Sequence, residues 1–225
     1  MNNLQKAAGF SAIIEAVIYL VAFVYFGAIW SYPADGTAAD KMAYLTENQL
    51  VFSIIYFLMY AVFGVFLAVI VVGLQERLKN SVIAKVGAVF GLVWVVLVIA
   101  SGMLATIGLS HAIDLMDSSA DDAFDLWRIV SVLIESLGGG NELVGGLWVL
   151  LVSIAALNTA AFPKTLNYLG IIVGVCGLAT TYPDDIFTAL FGITQIIWFV
   201  WLGVVMLSHY NTDTSAKPTA APHAE

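Results

Sequence analysis

Three carboxylates stand where water is scarce. Glu15, Glu135 and Glu142 each lie inside a long apolar run. An acid near the centre of a membrane helix costs about 2.5–3.5 kcal/mol on insertion scales, so each one asks for a function or a partner. The chemistry open to such a group is reversible capture of a proton, a cation or a small polar solute. Glu135 and Glu142 are seven residues apart, which on a continuous helix places them on one face with Arg128, Ser131, Gly138, Gly139, Gly146 and Ser153. Residues 138–146 contain five glycines in nine positions, and a helix is weakest there. Backbone freed at such a break is tolerated inside a membrane only against protein or a watery cavity, which is how many carriers hold ions and solutes. Glu142 is therefore expected to accept the proton or cation, with Asn141 beside it and Glu135 on the path towards the acidic side. The alternative is that these acids are uncharged and hydrogen-bond Gln195 or nearby tyrosines, the glycines serving close packing. Gln195, Tyr56 and Tyr60 are the residues that would complete a polar pocket. Glu15 shares a face with Ser11 and Tyr19 and is expected near an interface, within reach of headgroup water.

The elements that must position these groups follow from composition. Of 225 residues, 61% are hydrophobic and 11% charged, against about 45–50% and about 25% in ordinary soluble domains. Too few polar residues remain to cover a water-soluble core. One Cys excludes a disulfide scaffold, and 8 Lys and Arg against 16 Asp and Glu argue against nucleic-acid binding. Apolar runs of membrane-crossing length occupy 9–30, 50–74, 82–109, 124–157, 166–181 and 186–207. They are continuously apolar rather than alternating, which disfavours a barrel. The fold expected is all-α: a polytopic membrane protein whose residues 1–210 form a six-transmembrane-helix bundle in the lipid bilayer. The fourth run, about 34 residues, would make a straight helix about 50 Å long, so it is tilted, projecting or broken.

Charge sets the expected orientation. Lys6, Arg77, Lys79, Lys85, Lys164 and Lys217 fall on one side if every run crosses, and only Lys41 and Arg128 fall on the other. That other side collects Asp35, Asp40, Glu47, Asp114, Asp117, Asp121, Asp122, Asp125, Asp184 and Asp185. The positive-inside rule then puts both termini in the cytoplasm. The first run lacks a clear cleavage motif and is read as a retained span. Residues 211–225 are polar and rich in Ala, Thr and Pro, as a disordered cytoplasmic tail would be. Trp30 and Trp127 sit at the outer ends of runs, whereas Trp94, Trp148, Trp198 and Trp201 are expected to pack more deeply. Cys176 lies within an apolar run and has no partner.

Two stretches share Leu, Gly and Gly at a constant offset of 83, which places Gly87 and Gly91 in correspondence with Gly170 and Gly174. Such small-x-x-x-small pairs let helix backbones approach closely. They serve packing within the bundle, or against a membrane-protein partner or a second copy of the chain. No metal site is expected: His111, His209 and His223 fall at separate places, and no Glu-x-x-His, His-Glu-x-x-His or Cys pair occurs. Residues 117–128 begin like a calcium loop, but Asp122 replaces its Gly and Arg128 its final Glu. No phosphate-binding loop or nucleophile elbow is present, so neither a cofactor nor an enzymatic activity is expected.

Residues 155–170 contain a small-residue stretch, then Phe162-Pro163-Lys164, then Leu169-Gly170, leading into a Gly-rich helix. Together with Lys6-Ala7-Ala8-Gly9 and the Gly-rich fourth run, this resembles a bacterial membrane family known only as a domain of unknown function. The resemblance implies a six-span protein of the bacterial inner membrane without an assigned activity, and it brings no catalytic residue. Two functions are consistent with the residues. One is a small carrier or binding protein with an intramembrane carboxylate site, and the other is a non-catalytic accessory subunit packed against a larger membrane complex.

Overall fold

The computed structural model describes residues 3–139, 142–182 and 184–213. No strand occurs among them. Helix α1 (Asn3–Val24) continues into a π-helical turn (Tyr25–Ile29), and α2 (Ala38–Glu47) follows as a short helix. Then come α3 (Gln49–Tyr56), a second π turn (Phe57–Val62) and α4 (Phe63–Arg77) as one continuous rod, followed by α5 (Val82–Leu115). Helix α6 (Ala120–Ile134) ends in a third π turn (Glu135–Gly139), and α7 (Leu143–Thr159), α8 (Lys164–Ala179) and α9 (Asp185–Asp213) complete the chain.

Four helical segments are long and apolar enough to cross a membrane: Asn3–Ile29, Gln49–Arg77, Val82–Leu115 and Ile186–Ser208. Leu143–Thr159 and Lys164–Ala179 are apolar but shorter. Large side chains such as Val65, Val89, Val96, Ile107, Val175 and Ile193 are exposed around the bundle. A helix apolar on its outer face as well as its inner one is suited to lipid rather than water.

Packing closes the helices into a ring. Helix α1 lies between α4 and α9, α4 against α5, α5 against α7, α7 against α8, and α8 against α9. Small residues set the distances. Ala8, Ala12 and Ala16, spaced by one helical turn, are all buried on α1, and a Cβ on Gly73 of α4 would meet the Ala8 Cβ at 2.5 Å. On the other side of α1, against α9, Gly9 faces Leu207 and Met206, and Gly203 approaches the Gly9 carbonyl.

The run expected over 124–157 is not one helix. Helix α6 and then α7 run antiparallel along the same neighbour, α5. Gly108 meets Val130, Ser101 Oγ donates to the Ile134 carbonyl, Gly145 meets Trp94, Gly91 meets Trp148, and Gly87 meets Leu151. The two helices are consecutive halves of one traverse, interrupted opposite the middle of α5. Gly140 and Asn141 lie outside the described residues, as do residues 214–225 with Lys217 and His223. Helix α9 runs to Asp213, so 211–213 continue a helix rather than opening a tail.

The ring has a basic end and an acidic end. At the first, the Arg77 guanidinium donates to the Ala161 carbonyl at 3.3 Å and lies 4.7 Å from the Phe162 ring centre, joining the α4–α5 and α7–α8 turns. Gln5 Nε2 donates to the Gly73 carbonyl at the same end. At the other end α2 packs on α6, and Lys41 lies 5.0 Å from the Phe124 ring centre. Helix α2 starts in a reciprocal cap: Thr37 Oγ1 accepts from the Asp40 amide, and Asp40 accepts from the Thr37 amide and hydroxyl. Those donated hydrogen bonds hold the Asp40 carboxyl below the usual aspartate range. This helix lies between the apolar runs, and Thr-x-x-Asp is its legible start signal in the sequence.

Candidate functional site

The interruption between α6 and α7 fixes Glu142. As the residue before α7, it has φ −95° and ψ 26°, outside the helical region, while its carbonyl accepts from the Gly146 amide at 2.7 Å. Its own amide donates to Thr180 Oγ1 at 2.9 Å, and that hydroxyl donates to the Gly177 carbonyl at 2.7 Å. The end of α8 therefore pins the start of α7. With its backbone tied to α8, Glu142 turns its side chain into a partly open cavity of about 260 Å³ between α1, the α3–α4 rod, α5 and α9.

The carboxylate is sparsely partnered. Glu142 Oε2 is enclosed and meets no hydrogen-bond partner among the described residues. The Trp94 indole adjoins the carboxyl group, yet Trp94 Nε1 has no acceptor at hydrogen-bonding geometry among those residues either. Tyr19 lies within electrostatic reach of Glu142, Glu15 and Tyr60, and Tyr19, Tyr60 and Glu142 all line the cavity wall, with Glu15 behind it.

Two π turns shape that wall. The first supplies Phe26 and the second supplies Met59 and Tyr60. Both are local widenings of a helix, of a kind often found at functional sites. The third π turn leads into the interruption at Glu142. A second cavity of about 290 Å³ lies towards the acidic end, lined by Trp30, Tyr32, Phe52, Tyr56 and Trp127 among others, and Phe26 borders both.

The remaining candidates divide. Gln195 is fully enclosed, with neither Nε2 nor Oε1 partnered among the described residues. It therefore does not supply a hydrogen bond to Glu142, which leaves the nearby tyrosines as the partners that the packing alternative allows. Glu15 is 0% exposed, and both its oxygens lack a partner at hydrogen-bonding geometry among the same residues. The expectation that it reaches headgroup water is corrected, because α4 and α9 close over this face of α1. Glu135 is exposed and no longer shares a face with Glu142, because the helix ends between them. It remains within electrostatic reach of Tyr56 and Tyr60. Asn141 lies outside the described residues. Trp94, Trp148 and Trp198 are buried in an edge-and-tilt series with ring centres 5.8 Å apart at each step. Trp201 is 38% exposed and belongs to the outer face instead.

The glycine pairs converge on one helix. Gly87 and Gly91 of α5 face Leu151 and Trp148, and Gly170 and Gly174 of α8 face Ser153 and Leu150, so α7 is held between two glycine faces. No group of three or more His, Cys, Asp or Glu positioned for a metal occurs among the described residues. The residues sequence reasoning missed are Tyr19, taken there only as a neighbour of Glu15, and the apolar wall of Phe23, Phe26, Phe63 and Phe191. Their convergence depends on ring closure, for which periodicity along a single helix carries no signal.

Compared with protein-family models, curated proteins and solved structures, the chain matches none.

Proposed function

We propose that this chain is a six-crossing protein of the bacterial inner membrane that binds or carries a proton, a cation or a small polar solute at Glu142. In this reading α6 and α7 together make the fourth crossing and both termini are cytoplasmic. The single observation that carries it is the enclosed Glu142 carboxylate, turned into a cavity without a partner for Oε2 among the described residues. A carboxylate with an enclosed, unpartnered oxygen is costly, and a purely structural position would be better filled by an apolar side chain. Kinship with the uncharacterised family that the 155–170 turn resembles belongs to the same proposal.

The orientation is supported by the gathering of Lys6, Arg77, Lys79, Lys85 and Lys164 towards one end. Reporter fusions after Asn80 and after Ala161 are expected to read as cytoplasmic, and one within 117–122 as external. Reversal of any one would overturn the six-crossing arrangement.

The accessory-subunit reading sets apolar helices and glycine faces against a larger membrane complex. Gly87, Gly91, Gly170 and Gly174 are occupied within this chain, so a partner would need another surface. The experiment that tests the carboxylate site is modification by dicyclohexylcarbodiimide in native membranes, located by peptide mass spectrometry. Glu142 is expected to be labelled, since the cavity gives an apolar reagent room to reach it. An unmodified Glu142 would make it a sealed structural group and sink the reading. Native mass spectrometry of the gently purified protein complements this, because a stoichiometric protein partner would favour the accessory role.

A further inference from the structure

Among the fourteen residues that line the cavity, Glu142 is the only Asp, Glu, Lys or Arg, and seven are aromatic. This combination narrows the ligand. A hydrated or divalent metal ion needs about six oxygen ligands, and the wall offers Glu142, Tyr19, Tyr60 and Thr188 as its side-chain oxygens. A sugar or similar solute would leave most of its hydroxyls facing Phe23, Phe26, Phe63 and Phe191, at a desolvation cost for each. A proton alone needs no chamber of about 260 Å³. What the walls do satisfy is one positive charge attached to an apolar body. Carboxylate attraction acts at one point, and aromatic faces favour a weakly hydrated cation beside them. The acidic residues around the Trp30 and Phe124 end would also raise the local concentration of cations.

Resting on the carboxylate-site reading above, we propose that the cavity binds a monovalent organic ammonium ion with an apolar or aromatic body. Its charge lies against Glu142, its ammonium substituents against Trp94 and Tyr60, and its body among Phe23, Phe26 and Phe191. The occupant belongs to a chemical class, amphiphilic amines and quaternary ammonium ions, rather than to a single compound.

The test uses the full chain in lipid nanodiscs and tritiated benzyltrimethylammonium as the probe. Neopentylbenzene, in which carbon replaces the charged nitrogen at the same shape, is the competitor. Saturable binding is expected, with neopentylbenzene competing at least about 30-fold less well than unlabelled probe, the ratio that an ion pair worth about 2 kcal/mol produces. Glu142→Gln is expected to weaken binding by at least the same factor. Ala22→Phe, which fills the cavity while leaving the carboxylate in place, is expected to abolish it. Glu76→Gln, at the exposed basic end, serves as the unaffected control. If Glu142→Gln fails to fold, Ala22→Phe still reads the site, and normal binding by that variant would overturn its location. Equal competition by neopentylbenzene would overturn recognition of the charge. Absence of saturable binding with Glu142 still labelled by the carbodiimide would defeat the organic-cation proposal and leave the carboxylate site standing. Absence of both would defeat the two together.

Discussion

Glu142→Gln is expected to abolish ligand binding or uptake while leaving the bundle as stable as before, or more so. Glutamine has nearly the same shape and removes only the charge. The backbone ties that place this residue, from its amide to Thr180 and from Gly146 to its carbonyl, do not involve the side chain and survive the change. The side chain loses little, because Oε2 has no partner among the described residues to lose, and an amide costs less to enclose than an unpaired carboxylate. The ligand loses its counter-charge. Removing one partner of a desolvated charge pair costs about 2–5 kcal/mol, or roughly 30-fold to several thousand-fold in affinity. The measurement is a thermal midpoint in detergent beside equilibrium binding on the same sample. A lowered midpoint with binding intact would identify the carboxylate as structural. A retained midpoint with binding lost is the expected exchange of stability for function.

The second large effect lies at the crossing of α7 and α8. A Cβ on Gly146 would sit 2.9 Å from the Gly174 carbonyl oxygen and 2.9 Å from both Cα and C of Gly177. These are backbone atoms inside a helix and cannot turn aside as a side-chain tip can. The contact is reciprocal, since a Cβ on Gly177 would lie 2.6 Å from the Gly146 Cα. Gly146→Ala is therefore expected to cost about 1–3 kcal/mol, the usual range for overpacking, and Gly146→Leu to prevent α7 from docking. The consequence reaches the site, because the same crossing holds Thr180 against the Glu142 amide. Gly27, by contrast, has nothing within 4 Å of its would-be Cβ, and Gly27→Ala is expected to be neutral. Thermal unfolding and gel-filtration profiles of the three variants decide it. A stable, monodisperse Gly146→Leu protein would show that the helices tolerate separation.

Several features were legible in the residues themselves. Continuous apolar runs imply helices because a chain in a poor solvent for its backbone must satisfy its amides within each segment. The length of the 124–157 run leaves it tilted, projecting or broken, and the glycine density at 138–146 marks where a break would fall, since glycine contributes no side-chain packing and gains most from leaving the helix. Glu142 was identified by the same reasoning, as an expensive group beside a weak stretch. The small-x-x-x-small pairs pointed to close packing without naming a partner.

Other features appear only when the helices meet. The seven-residue spacing of Glu135 and Glu142 implied a shared face, but that geometry holds only for a continuous helix, and the break sends one outward and the other inward. Position along α1 alone places Glu15 near an interface, because distance along one helix says nothing of the neighbours that cover it; α4 and α9 bury it completely. The three π turns have no compositional mark, yet two of them carry Phe26, Met59 and Tyr60 into the cavity wall. Periodicity reports which side of a helix is apolar, and in a chain apolar on every side that signal is nearly flat. The choice between a lipid-facing and an inward-facing phenylalanine is then made by close packing of small residues such as Ala8, Gly73, Gly146 and Gly177. Their contacts join positions far apart in the chain and exist only in the closed ring.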